Sequence, residues 1–235
     1  MKKMLQDIMK LIPSRITLFL LILVSILVCL SFSTFTKTGF INQYSLLYSP
    51  DNNKSPNNFY DIFAQKAEDR LKHTIIYNGA YYKIDYPMGD VPSNIGVCTD
   101  VVIRAYRAVG IDLQEKVHED MKKNFLKYPK IWRLTKPDTN IDHRRVPNLM
   151  TYFNRANSSL PITLNKDDYR PGHIVSWDLG GGLMHIGIIS TKKSSKTGNP
   201  LIVHNIGGGP QINDMLFNYK IIGHFKYGIE NDFNL

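Results

Sequence analysis

An α+β domain standing behind an N-terminal apolar segment is the architecture this sequence predicts, and three observations carry it. Residues 16–36 bear no charge, apolar residues recur at helical spacing from Phe59 to Phe153, and short β-favouring runs replace that pattern after Pro171. With 235 residues, 43% hydrophobic and 21% charged, the chain has enough apolar mass for one domain with a sizeable core plus an accessory segment. We divide it into a segment at 1–36, a linker at 37–58 and a domain at 59–235.

The accessory segment comes first. Ile16 to Leu30 is almost wholly Leu, Ile, Val and Phe behind the basic Lys2, Lys3, Lys10 and Arg15. This is the pattern of an export signal or a membrane anchor, and the positive flank stays cytoplasmic, so everything after Thr36 is expected outside the cytoplasm. Cleavage near Ser31 and Ser33 would give a secreted or periplasmic protein. Aromatic residues around that site favour retention, with the chain held in the membrane through residues 16–36. Of the net charge of +9, about +3 belongs to the basic flank. The remainder suits an anionic polymer or a membrane surface but identifies no reaction, and the outward topology excludes nucleic acid as a partner. Nothing in the pattern fixes an oligomeric state.

The domain's elements follow in order. Phe59, Phe63, Ala67 and Leu71, after an Asn-rich stretch, predict a first helix to about Lys72. Asn78-Gly79, between Thr74–Tyr77 and Ala80–Tyr86, is a two-residue hairpin signal. Val102, Ala105, Tyr106 and Val109, closed by Gly110, predict a second helix with Cys98 at its start. Val117, Met121 and Phe125 mark a third; Val146, Leu149, Met150 and Phe153 mark a fourth, with Pro147 in its first turn. Ile174–Trp177, Met184–Ser190, Leu201–Asn205 and Ile221–Tyr227 read as strands of an antiparallel meander. Gly207-Gly208-Gly209 is either a turn or a bare backbone that an extended peptide can approach.

Chemistry concentrates at three positions. At a helix N-terminus, unpaired N–H groups and the helix dipole favour thiolate at Cys98. Because Cys29 lies in the apolar segment, the exported part holds a single thiol and no intramolecular disulfide. A lone cysteine commonly only packs, and a lone strand histidine is commonly structural. The ordered set of Cys98 at a helix start, His185 in one strand and His204 in the next is what points to catalysis. If residue 185 lies opposite an even-numbered residue, both imidazoles share a face and one orients the other. A thiolate needs such an oriented base. Arg144 and Arg145, beside Asp142 and His143, either grip a substrate carboxylate or form an ion-pair cluster that fixes a loop. His173, His185 and His204 are also enough for a zinc site, but that leaves Cys98 without a role, so neither metal nor cofactor is expected.

The ordered set resembles the NlpC-type cell-wall cysteine peptidases, a papain-like group. The resemblance implies a papain-like fold of N-terminal helices on an antiparallel sheet, with Cys98 as nucleophile, His185 as base and His204 as the third member. Pro171-Gly172-His173-Ile174-Val175 stands where that group opens its first strand with Pro-Gly-Asp, and Val97-Cys98-Thr99-Asp100 replaces its usual Asp-Cys-Ser-Gly. The chain is also similar to bacterial domain-of-unknown-function family 1287, through Gly96 to Tyr106, Asn140 to Leu149 and His185 to Ile188, over roughly Ala64 to Tyr227. Tyr86, from its place just upstream of Cys98, is a candidate for polarising the oxyanion, and Asp178 is a further candidate contact to oxyanion or substrate. Asn205 or Asp178 would replace His204 as third member if His204 faced away from His185. From its location, an exported thiol hydrolase of this kind is expected to meet peptidoglycan peptides or another envelope amide. The alternative is a non-catalytic wall-binding or scaffold domain on a membrane stalk.

Overall fold

The computed structural model describes residues 58–228; the apolar segment at 16–36 and almost all of the linker lie outside the described residues. Among the described residues no helix is long and apolar enough to cross a membrane. They form a mixed α+β domain with four α-helices and a five-stranded antiparallel sheet.

The helices are α1 (Asn58–Asp69), α2 (Cys98–Ala108), α3 (Leu113–Asn124) and α4 (Val146–Arg155). Helix α1 runs on into a 3-10 turn at Arg70–Lys72, so its end agrees with the apolar spacing. Helix α2 ends where Gly110 takes φ 81°, the left-handed conformation that costs glycine least. Helix α3 begins earlier than its apolar spacing implies, because the Asp112 side chain caps it by accepting from the Gln114 N–H at 3.1 Å. Val102, Ala105 and Tyr106 of α2 are fully buried. Burial of a large apolar side chain such as Val102 contributes roughly 1.5–3 kcal/mol. Tyr106 stacks on Phe63 with ring centres 4.1 Å apart and donates its hydroxyl to the Tyr227 carbonyl at 2.9 Å, tying α1, α2 and the C-terminal end of the domain together.

The Asn78-Gly79 hairpin does not form. Strand β1 (Ile76–Tyr77) instead pairs in parallel with β2 (Ile95–Gly96), immediately before Cys98. Asn78 turns back locally, its side chain accepting from the Ala80 N–H at 2.8 Å. The backbone that follows is held by side chains rather than by a partner strand. Arg144 donates to the Ala80 carbonyl, Asn140 accepts from the Ile84 N–H, and Gln114 donates to the Asp85 carbonyl. Such long-range capture of main-chain groups overrides a local turn signal.

The main sheet comprises β3 (Ile174–Asp178), β4 (Met184–Lys193), β5 (Pro200–Asn205), β6 (Pro210–Asn213) and β7 (Lys220–Phe225). Their order across the sheet is β6-β5-β4-β3-β7. The first four make the meander; β7 crosses to pair with β3 on the far edge. Strand β6 is absent from the sequence reading because Pro210-Gln211-Ile212-Asn213 has one apolar β-former and follows three glycines. Those glycines make the β5–β6 turn, with Gly207 at φ 134° and Gly209 at φ 92°.

The sheet has two buried faces. Ile174, Ile186, Ile188, Val203 and Phe225 pack with the helices and with Cys98. Val175, Trp177, Ile189 and Ile202 pack on the other side with Tyr169, Met215 and Leu216, so the loop between β6 and β7 covers that face. Side-chain alternation therefore assigns even positions of β4 to the helix face and odd positions to the loop-covered face.

Candidate active site

His185 and His204 both belong to the loop-covered face. His185 stands directly opposite Trp177, and the two rings are 6.0 Å apart. The β4–β5 register pairs Ile188 with Val203 and Ile189 with Ile202, which places position 204 level with 187 and gives the two histidines a common face. Their imidazoles meet, His185 Nε2 to His204 Nδ1 at 2.9 Å, with rings nearly perpendicular. Gly187 makes the room: a Cβ there would sit 2.7 Å from Ile202 Cγ2 and 3.2 Å from His204 Cβ. His204 reaches onward, Nε2 to Asn213 Oδ1 at 2.8 Å.

Cys98 approaches from the helix side. Ile189 donates its N–H to the His173 carbonyl, toward β3, so the even residues of β4 direct their main-chain groups toward β5. The β4–β5 ladder ends at Ile188 and Val203. The Ile186 N–H, one residue after His185, is thereby released from the ladder, and it faces the Cys98 sulfur together with the N–H groups of Cys98 and Thr99. The sulfur thus stands at the split between β4 and β5, beside Ile186, while the side chain of His185, the residue before it, points to the opposite, loop-covered face and makes no hydrogen bond to Cys98. Asn205 closes the same split by donating to the Gly96 carbonyl at 3.3 Å.

The charge state differs from the sequence expectation. Burial pushes the Cys98 thiol up to about 11, outweighing the N–H groups that favour its thiolate. Burial, reinforced by His204, holds His185 down to about 3, and burial also lowers His204 against the Asn213 hydrogen bond. Cys98 is only 5% exposed. Desolvation penalises the charged form of each group, so the thiol and both imidazoles rest neutral. The preformed thiolate expected from the helix dipole is corrected accordingly.

Residues 64–227 match the model of a domain of unknown function, DUF1287. The chain belongs to that family. "Uncharacterized protein YijF" of Escherichia coli (strain K12) is 50% identical over 167 residues, which is 71% of this chain and 81% of that one. No solved structure gives a significant match.

The other site candidates of this DUF1287 chain have different occupations. Arg144 forms a bidentate pair with Asp100, at 2.9 and 3.0 Å, with both side chains nearly inaccessible, and it also donates to the Ala80 carbonyl. Its guanidinium thus ties the 78–80 segment to α2, as the loop-fixing reading expects. Arg145 pairs with Asp142 at 3.2 Å and lies 4.0 Å from the Trp132 ring centre. Tyr86 donates to Glu119 at 3.0 Å; its hydroxyl is pushed up to about 12 by desolvation and by that carboxylate. Asp178 accepts from the Gly180 N–H at 2.8 Å and so shapes the β3–β4 turn. His173 bonds to His224 at 2.9 Å instead of joining His185 and His204, which breaks up the three-histidine zinc set. That second pair lines a cavity of about 460 Å³ with Tyr60, Asp168 and Lys226, away from Cys98.

Sequence reasoning missed two residues. Tyr77 lies close enough to Cys98 and Asp100 for their charges to raise its hydroxyl, after the larger effect of burial. Its nearness comes from the parallel β1–β2 pairing, which has no local signature. Asn213 completes the histidine chain, and its only sequence signal was a two-residue alternation with Gln211.

Proposed function

We propose that this domain is a papain-like thiol hydrolase, related to the NlpC-type peptidases, that cleaves amide or peptide bonds in the cell envelope, with peptidoglycan peptides as substrate. The observation that carries this reading is the chain Asn213–His204–His185, which ends one residue before Ile186, whose N–H faces the Cys98 sulfur. The His185 ring lies on the loop-covered face and Cys98 on the helix face, with no hydrogen bond between them, so the reaction requires the two to meet through the β4–β5 split. In the proposed reaction the Cys98 sulfur bonds to the amide carbonyl carbon as its proton passes to His185. A neutral starting pair makes this transfer concerted with attack rather than complete beforehand. Backbone N–H groups at the start of α2 stabilise the oxyanion. His185 then returns the proton to the leaving amine as the C–N bond breaks. Water, deprotonated by His185, cleaves the thioester to a carboxylic acid and regenerates the thiol.

The reading includes an envelope location, with residues 16–36 as anchor and the domain outside the cytoplasm. It rests on the basic flank before Ile16. A C-terminal reporter that is active only in the cytoplasm would overturn it.

Burial of Cys98 and its raised thiol favour a second reading, a non-catalytic wall-binding domain in which Cys98 packs the start of α2. Incubating purified wall with the full chain in detergent, and with its Cys98→Ala variant, separates the two. A hydrolase releases new fragments only with the native cysteine, whereas a binding domain co-sediments with wall equally well in both forms.

A further inference from the structure

The direction of each hydrogen bond in the histidine chain can be worked out from its far end. An amide oxygen only accepts, so at 2.8 Å from Asn213 Oδ1 the Nε2 of His204 carries a hydrogen. In a neutral imidazole the other nitrogen is then bare, so His204 Nδ1 accepts, and His185 Nε2, 2.9 Å away, is the donor. That leaves one unprotonated nitrogen in the chain with no partner in it, Nδ1 of His185. It belongs to the residue preceding Ile186, whose N–H faces the Cys98 sulfur from the helix side, whereas the His185 ring lies on the loop-covered face.

We propose that Asn213 is a positioning residue that sets the tautomer of both imidazoles, so that the basic nitrogen is Nδ1 of His185. This deepens the hydrolase reading and rests on it for its catalytic meaning, although the tautomer order itself is a property of the folded protein. The location of Asn213 suits such a role. It lies on the edge strand β6 and is exposed, so altering it opens no cavity in either core. Reversing the order would put a hydrogen on His185 Nδ1 and leave no base.

The test uses the full chain in detergent with 15N-labelled histidine, reading ring nitrogens by long-range proton–nitrogen correlation at neutral pH. His185→Gln and His204→Gln supply the assignments. Both rings are expected as Nε2–H tautomers, and Asn213→Ala is expected to convert His204 to a mixture. A hydrogen on Nδ1 of either ring in the native chain, or unchanged tautomers in Asn213→Ala, overturns the proposal. Where the wall-digestion assay gives turnover, Asn213→Ala should lower kcat by about tenfold with KM held, the cost of a misoriented catalytic group. Asn213→Asp preserves the hydrogen bond but raises the His204 pKa. Below that pKa, His204 donates from Nδ1 and forces the hydrogen onto His185 Nδ1, so activity should be lost at low pH and return as pH rises. A purely structural Asn213 would give Asn213→Asp a native pH profile. Failure of wall digestion with the tautomers as described would reject the hydrolase reading and leave the tautomer assignment standing.

Discussion

Replacing Asp100 with alanine should cost far more stability than one lost hydrogen bond, because of what it leaves behind. Arg144 and Asp100 form a two-bond pair at 2.9 and 3.0 Å with side chains 2% and 3% exposed. Asp100 also accepts from the Val97 N–H at 2.7 Å, reaching back across the first turn of α2. Removing the carboxylate strands a guanidinium in the interior. Breaking one side of such a pair costs about 3–5 kcal/mol, which at about 2–4 °C per kcal/mol for a domain of this size lowers Tm by roughly 6–20 °C. Arg144→Leu should cost a comparable amount for the mirrored reason, a buried carboxylate without its partner. The double variant should lose much less than the sum, with a coupling of about 2 kcal/mol or more, since neither charge then remains unpaired. Thermal and urea unfolding of the four proteins make the cycle. Additive losses, or a Tm change under about 2 °C for Asp100→Ala, would show that the pair does not fix the approach of the 78–80 segment to α2.

Three further outcomes follow from the buried histidines and the thiol. Burial holds His143, His173 and His185 at about 3, against about 6.5 unfolded. The unfolded chain therefore binds more protons in that window, so their contribution is fully present above pH 6.5 and is lost as pH falls toward 3. At about 1.4 kcal/mol per unit for each group, the three give a slope of about 4 kcal/mol per pH unit, and an unchanged urea midpoint between pH 7 and pH 5 would contradict it. Gly187→Ala should destabilise by about 1–3 kcal/mol through overpacking and break the His185–His204 bond; native-like histidine spectra in that variant would refute the close approach. Iodoacetamide should modify folded Cys98 more slowly than free cysteine at pH 8, accelerating toward pH 11, whereas fast alkylation below about pH 8.5 would restore the preformed thiolate.

The parts of this fold that could be read from the sequence are those whose signals are local. Val102, Ala105, Tyr106 and Val109 at helical spacing, with Gly110 behind them, placed α2 and put Cys98 at its start, and β-branched runs placed four of the five main strands. The shared face of His185 and His204 needed only a parity argument. Features set by distant partners were not legible. The Asn78-Gly79 signal lost to Arg144, Asn140 and Gln114, which lie dozens of residues away and hold the same backbone. The high thiol pKa of Cys98 arises from strands packed over it, and a helix dipole argument contains no information about that burial.

The central claim is that Cys98 and His185 cleave an envelope amide, and mass spectrometry of wall digested by the full chain tests it most directly. Native protein should release fragments carrying a new amine and a new carboxylate, Cys98→Ala and His185→Ala should release none, and His204→Ala should keep a residue of turnover because an orienting group matters less than nucleophile or base. Equal digestion by native and Cys98→Ala chains, or co-sedimentation of both with wall that stays intact, would contradict the claim.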